Sequence, residues 1–244
     1  MDEPTAATLL AEETRAAAPD RSLAARYAPV LRFDRHEPFF PSLAGYTIFR
    51  ADAPSPSFPR TVMLRPAGQP PAALAIEYAI WWDWDIEHLY ELEHVWVFVG
   101  ADERVVHVDA SYHGEYHRMP PGQGIAFDGD HPVLYSEPGK HAFFATLEAA
   151  RAERERTLER CRQMNMAGVH VTPLFQGIIR DKSPEADALV NRYLRALAFT
   201  PTFDFAQEFR ITDAHLVAWP LLFAWIPRRV TWWVEQLRAR ADQS

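Results

Sequence analysis

The sequence predicts a mainly β protein with helices added at both ends, and three observations predict it. From residue 29 to residue 112 the chain is a series of short runs rich in β-branched and aromatic residues, broken by proline. The first 28 residues and much of the segment after residue 145 carry helical spacing and helix-end signals instead. No linker, internal repeat or low-complexity tract interrupts the 244 residues, so one domain is expected, long enough to bury a sizeable core.

The elements follow in order. Residues 1–28 form a helical segment with Leu9, Leu10, Leu23 and Tyr27 on its apolar face and Pro19 dividing it. Residues 29–145 form the β core, with strands expected at 30–33, 46–50, 61–64, 74–82, 93–99 and 105–112. In 93–99, Val95, Val97 and Val99 share one face and Trp96 and Phe98 the other, and a strand apolar on both faces is central in its sheet. Gly100-Ala101-Asp102-Glu103 is a hairpin turn leading into 105–112. The glycine- and proline-rich stretch 113–140 reads as loop. Residues 146–244 are expected to pack on the core as helical additions. One helix covers 143–163, with a charged middle and one thin buried stripe. The next starts at Ser183, with Pro184 in its first turn beside Glu185 and Asp187, and ends near Leu197. The last covers 213–240, interrupted by Pro220 and Pro227.

Composition narrows the function classes. A formal net charge of −8 argues against nucleic acid, whose phosphates call for clustered Lys and Arg. The single cysteine, Cys161, has no partner for an internal disulfide, which fits a reducing, cytoplasmic setting. Residues 1–25 lack the basic start and apolar run of a leader, and no stretch is long enough to span a membrane. All but two of the 25 basic residues are arginine, the exceptions being Lys140 and Lys182.

The densest chemistry lies at 83–94, where Asp83, Asp85, Glu87, Glu91 and Glu93 fall within eleven residues alongside His88 and His94, with no Lys or Arg among them. Apolar strands flank this run on both sides, so the carboxylates open onto buried structure. Buried carboxylates are costly unless paired, and like charges raise one another's pKa or call for a cation. If extended, Glu91 and Glu93 share a face, as do Asp83 and Asp85. Oxygen ligands with an imidazole point to Mg, Ca, Mn or Fe(II) more than to Zn. An acidic loop solvated at a sheet edge, or a salt-bridge site for a distant arginine, is the alternative.

Asp83 and His88-x-x-Glu91-x-Glu93, following Tyr78-Ala79-Ile80-Trp81-Trp82, resemble the metal-site signature of the necrosis-inducing cytolysin family. In that signature a Tyr/Trp-rich strand leads to an Asp and then to Gly-His-Arg-His-Asp-Trp-Glu. Tyr90 stands where the second His belongs and Leu92 where the Trp belongs. Tyr27-Ala28-Pro29-Val30-Leu31-Arg32-Phe33, Ser111-Tyr112-His113-Gly114 and the segment Tyr135 to Ala142 resemble the related vacuolar-sorting-type domains. The resemblance covers residues 23–145. It implies a β-sandwich with a divalent-metal site at one edge, held by Asp83, His88, Glu91 and Glu93. The cytolysins are secreted and disulfide-bearing, features not read here, and toxin activity does not carry over.

Other residues complete the expectation. His113, at a strand end before Gly114, and His141, after Gly139-Lys140, are candidate ligands or catalytic acid/bases. On 105–113, His107, Asp109, Ser111 and His113 share a face, and register decides whether His94 or Glu93 lies beside Asp109. His170, on a short apolar segment, reads as a core histidine. Trp82, Trp84, Tyr90 and His94 are candidates for a substrate pocket with an apolar wall, against the alternative of core packing. Trp219, Trp225, Trp232 and Trp233 with Arg228 and Arg229 mark a C-terminal helix suited to a core or homodimer contact, or to peripheral membrane contact. The expected function is a divalent-metal-dependent hydrolase or lyase acting on a small, partly apolar molecule. The alternatives are a non-catalytic metal-dependent module for a sugar or lipid head group, and a purely structural metal.

Overall fold

The computed structural model describes residues 3–5, 9–10, 18–67, 70–119, 124–164 and 167–243, and the strands and α-helices with both ends among them are these. The strands are β1 (Val30–Phe33), β2 (Leu43–Phe49), β3 (Ala53–Pro54), β4 (Thr61–Val62), β5 (Leu74–Trp84), β6 (His88–Val99) and β7 (Val105–Tyr112). They continue as β8 (Glu115–Met119), β9 (Ala126–Asp128), β10 (His131–Ser136), β11 (Phe143–Phe144), β12 (Gly168–Val169), β13 (Gln207–Arg210) and β14 (Leu216–Ala218). The helices are α1 (Ala18–Tyr27), α2 (Leu147–Ala152), α3 (Arg154–Gln163), α4 (Pro184–Ala196) and α5 (Trp219–Ala241).

The fold is mainly β, with two sheets sharing one hydrophobic core. The larger sheet has the order β14-β2-β5-β6-β7-β8, with β12 paired to β6. The smaller has the order β11-β10-β1-β13, with β9 on β10. Phe33 of the small sheet meets Trp82 of the large one edge-on, and Phe143 packs on the same indole. The outer face of the large sheet is covered at one end by α5, where Trp81 meets Trp225. At the other end the β3–β4 hairpin covers Trp96 and Phe98. The apolar strand 95–99 is central, lying between β5 and β7.

Four expectations change. The stretch 113–140 is not all loop: it holds β8, which forms a tight hairpin with β7, and the β9–β10 hairpin, whose β10 joins the distant β1. The helix expected over 143–163 begins as strand β11 and then divides into α2 and α3 at Glu153, with Thr146 accepting the Ala149 N–H as N-cap. Residues 146–244 are more than helical additions, because β13 pairs with β1, β14 with β2 and β12 with β6. Pro220 sits in the first turn of α5, where a missing N–H is tolerated, and the helix continues through Pro227. In the N-terminal segment Leu9 and Leu10 are helical, and the Pro19 division and much of 5–17 lie outside the described residues or side chains. No described helix is long and apolar enough to cross a membrane.

Candidate metal centre

The β5–β6 hairpin turns at Asp85, whose side chain builds the turn. Its Oδ1 accepts the N–H groups of Glu87 (2.6 Å) and His88 (2.7 Å). This leaves Oδ2 for other partners and starts β6 at His88. Regular pairing then sets Glu91 opposite Trp82 and Glu93 opposite Ile80, on the face that looks into the sandwich.

Asp85, His88 and Glu91 each offer a ligand atom, and those atoms lie within 4.8 Å of one another. His88 Nδ1 is 2.7 Å from the Tyr90 carbonyl. A carbonyl only accepts, so Nδ1 carries the proton. Burial lowers the His88 pKa to about 4, so the ring is neutral near pH 7 and Nε2 is a bare lone pair. That lone pair faces Glu91 Oε2 at 3.9 Å. Glu91 Oε1 accepts the Leu92 N–H at 2.8 Å. Burial, with Glu93 and Asp85 adding to it, pushes the Glu91 carboxyl well above the usual range, although Lys140 opposes the shift. Burial likewise raises Glu93 to about 7, against the bond it accepts from the Ser111 hydroxyl. His170 stacks on His88 with ring centroids 4.4 Å apart, so the histidine expected in the core lies against this cluster.

Lys140, which the sequence did not single out as a site residue, supplies the cluster's ammonium. It is 5% exposed; it hydrogen-bonds Asp85 Oδ2, lies 3.1 Å from Glu87 Oε2 and stands 3.9 Å from Glu91 Oε2. Burial opposes its charge, but Asp85, Glu91 and Glu87 outweigh it and the pKa is raised. Burial also works against the charged form of Asp85, which is nevertheless held low by His88 and Lys140. The tight turn from Glu137 to Ala142 delivers the lysine: Glu137 N–H donates to the Ala142 carbonyl, and the Glu137 carbonyl accepts from Lys140 and His141. Gly139 holds this turn against the hairpin. Its carbonyl accepts the Ile86 N–H at 3.0 Å, its N–H donates to Glu37 Oε2 at 2.8 Å, and its φ is +71°. A Cβ there would lie 2.4 Å from Ile86 Cγ2.

Other expected site residues lie elsewhere. Asp83 is on the opposite face of the sheet, where Arg229 of α5 grips it with two bonds of 2.9 and 2.7 Å and Trp81 Nε1 donates at 3.2 Å. Asp85 stands in the cluster in its place, because the turn, not an extended strand, carries the second aspartate. His141 is 0% exposed, stacked on Trp82 (4.6 Å, 7°) with Nε2 3.5 Å from Glu37, and so is sealed from any ligand. Trp82, Trp84, Tyr90 and His94 are all buried in core packing and form no wall of an open pocket. His113 lies at the rim, its Nε2 2.8 Å from Glu137 Oε2, with Arg160 beside both. Burial works against the charge on Glu137, but His113, Thr157 and Arg160 hold its pKa below the usual range. Asp109 faces Trp96 in register and pairs with Arg60 at 2.7 Å beneath the β3–β4 hairpin, away from the cluster.

The convergent donor set fits a hard divalent cation: two carboxylates, Asp85 and Glu91, and one neutral imidazole with its lone pair inward. An O···N gap of 3.9 Å is too long for a hydrogen bond and short enough for both atoms to share one ion, whose bonds are about 2.0–2.6 Å.

No family model and no curated protein matches the chain. Solved structures do. The chain is similar to the Necrosis and Ethylene inducing Protein 2 from the causal agent of cocoa's witches' broom disease, at 20% identity over 58% of this chain and 80% of that one, with a TM-score of 0.33. It is similar to NLPPya in complex with glucosamine, at 19% identity over 54% and 68%, with a TM-score of 0.36. A structure described as a toxin fold for microbial attack and plant defense matches at 18% identity over 54% and 69%, also at 0.36. The similarity is one of fold.

Proposed function

We propose that this chain is a divalent-cation protein in which Asp85, His88, Glu91 and Glu93 hold one hard ion, Mg, Ca, Mn or Fe(II), that engages an oxygen of a small ligand at the rim. The observation that supports it is the neutral His88 lone pair set 3.9 Å from a Glu91 carboxyl that burial makes costly to ionise, with Asp85 beside both, an arrangement that one shared divalent cation would stabilise. When bound, the ion would supply Lewis acidity toward a hydroxyl, carboxylate or phosphate oxygen. Glu91 and Glu87 are the cluster's exposed edge, at 16% and 22% side-chain exposure, so a ligand enters there. With Trp82, Trp84 and Tyr90 in the core, the ligand need not be aromatic. A sugar or lipid head group fits the site's chemistry better than the partly apolar substrate expected from sequence.

A second reading, hydrolysis or elimination, is favoured by His113 and Glu137. Glu137 fixes the imidazole at 2.8 Å, and His113 is accessible enough to hold or move a proton on a ligand at the rim. Metal content measured by elemental mass spectrometry, with thermal unfolding before and after chelation, tests the proposal. Near one equivalent of a divalent ion, lost in Glu91→Ala/Glu93→Ala with circular dichroism unchanged, is expected. Absence of metal from the wild type, with no stabilisation by added Mg, Ca, Mn, Fe(II) or Zn, would overturn it. Ligand turnover lost in His113→Gln with metal retained would place the protein among the enzymes.

A further inference from the structure

Lys140 is an unusual choice for its place. Elsewhere the chain meets carboxylates almost entirely with arginine, and only two of its 25 basic residues are lysine. Here a compact ammonium on a flexible stem, rather than a planar fork, is threaded into a buried acidic cluster. It takes the Asp85 oxygen that the hairpin turn leaves open, and it stands 3.9 Å from Glu91 Oε2, the same separation at which His88 Nε2 stands from that atom. Its remaining partner, Glu87 Oε2 at 3.1 Å, is the more exposed carboxylate, on the solvent side of the cluster.

We propose that Lys140 is a built-in competitor for the cation, an ammonium that occupies the open oxygen of Asp85 beside Glu91 and yields the site to a divalent ion by swinging toward Glu87. This rests on the cation reading above and adds the regulation of that site. The exchange replaces one positive charge by two among the same carboxylates, so the bound state is the better neutralised one. The vacated ammonium keeps a carboxylate partner near solvent, which lowers the cost of leaving. Gly139 holds the backbone of the turn, so the motion is confined to the lysine side chain. The competition weakens metal binding and makes it reversible, as suits a site that responds to metal concentration rather than one that holds a permanent structural ion.

The test is calorimetric titration of the full chain with MnCl2, wild type beside Lys140→Met and Lys140→Gln. Removing the competitor is expected to tighten Mn binding at least tenfold, while the metal-free variants unfold at lower temperature and regain that loss on adding Mn. Wild type that binds Mn, with both variants binding equally or more weakly, would overturn the inference and leave the cation reading standing. Variants that bind where wild type does not would support the competition and overturn the cation reading for the native chain. No binding by any of the three would overturn both. Should the variants fail to fold, lysine-selective NMR of the wild type decides, since the chain has only Lys140 and Lys182. Added MgCl2 is expected to shift one of the two ammonium signals and leave the other in place. Both unmoved while Mg binds would overturn the inference.

Discussion

His88 Nε2 and Glu91 Oε2 face each other across 3.9 Å, and neither has a proton to give while the carboxyl is ionised. The Nδ1 proton is committed to the Tyr90 carbonyl, and burial keeps the ring from taking a second. Ionising this buried carboxyl is costly, and the Lys140 ammonium 3.9 Å away offsets only part of the cost. Glu91→Gln, which removes the charge and keeps the shape, should stabilise the metal-free protein by about 1 kcal/mol in urea unfolding with chelator present. The same substitution should abolish stabilisation by Mn. A loss of metal-free stability would mean that Glu91 is needed as a counter-ion to Lys140 rather than as a ligand.

Asp83 and Asp85 separate structure from binding. Asp83→Asn breaks the paired contact with Arg229, which is 11% exposed and shielded by Trp232 at 4.5 Å, and should cost about 2 kcal/mol. Metal affinity should not change. Asp85→Asn should weaken metal binding by an order of magnitude or more. Titration calorimetry on both variants checks this, and an Asp83→Asn variant that folds but loses metal would return that residue to the site.

Glycine at 139 is required twice, by its positive φ and by the approach of Ile86. Gly139→Ala should destabilise by about 2 kcal/mol or more and weaken metal binding through the displaced turn. Thermal unfolding with and without Mn reads both effects. An unchanged melting temperature would mean that the turn relaxes freely.

Beneath the β3–β4 hairpin, His94 packs against Phe58 and stacks on Trp96, and burial lowers its pKa to about 3, against 6.5 when exposed. The folded state therefore resists a proton that the unfolded state accepts. The contribution is fully present above pH 6.5 and is lost as pH falls through that value toward 3, at about 1 kcal/mol per pH unit. His107, lowered to about 4 by burial, acts in the same sense. Urea unfolding from pH 7 to pH 4.5 should show stability falling with acid, with a shallower slope in His94→Phe. Equal slopes would show that His94 is not the group responsible.

How much was legible in the sequence follows from where the information lies. The run 95–99 announced a central strand because its own residues are apolar on both faces, and β1 and β7 have the expected bounds. The short strands β8, β9 and β10 were not legible, because glycine and proline crowd the stretch that holds them and β10 also depends on a remote partner, β1. At the site, His88, Glu91 and Glu93 stood out by spacing. The choice of Asp83 rested on its match to the leading Asp of the resembled signature, whereas it is Asp85 that bends the chain beside His88 by accepting two of its N–H groups. Lys140 reaches the cluster only through tertiary closure of the Glu137 turn. Its one sequence signal was its rarity, a lysine among arginines.

The most direct measurement is an anomalous difference map from crystals of the wild-type chain soaked in MnCl2. A peak bounded by Asp85, His88, Glu91 and Glu93, with the Lys140 ammonium moved toward Glu87, is the predicted result. Well-ordered crystals with no peak there, and with Lys140 still on Asp85 at saturating Mn, would contradict it.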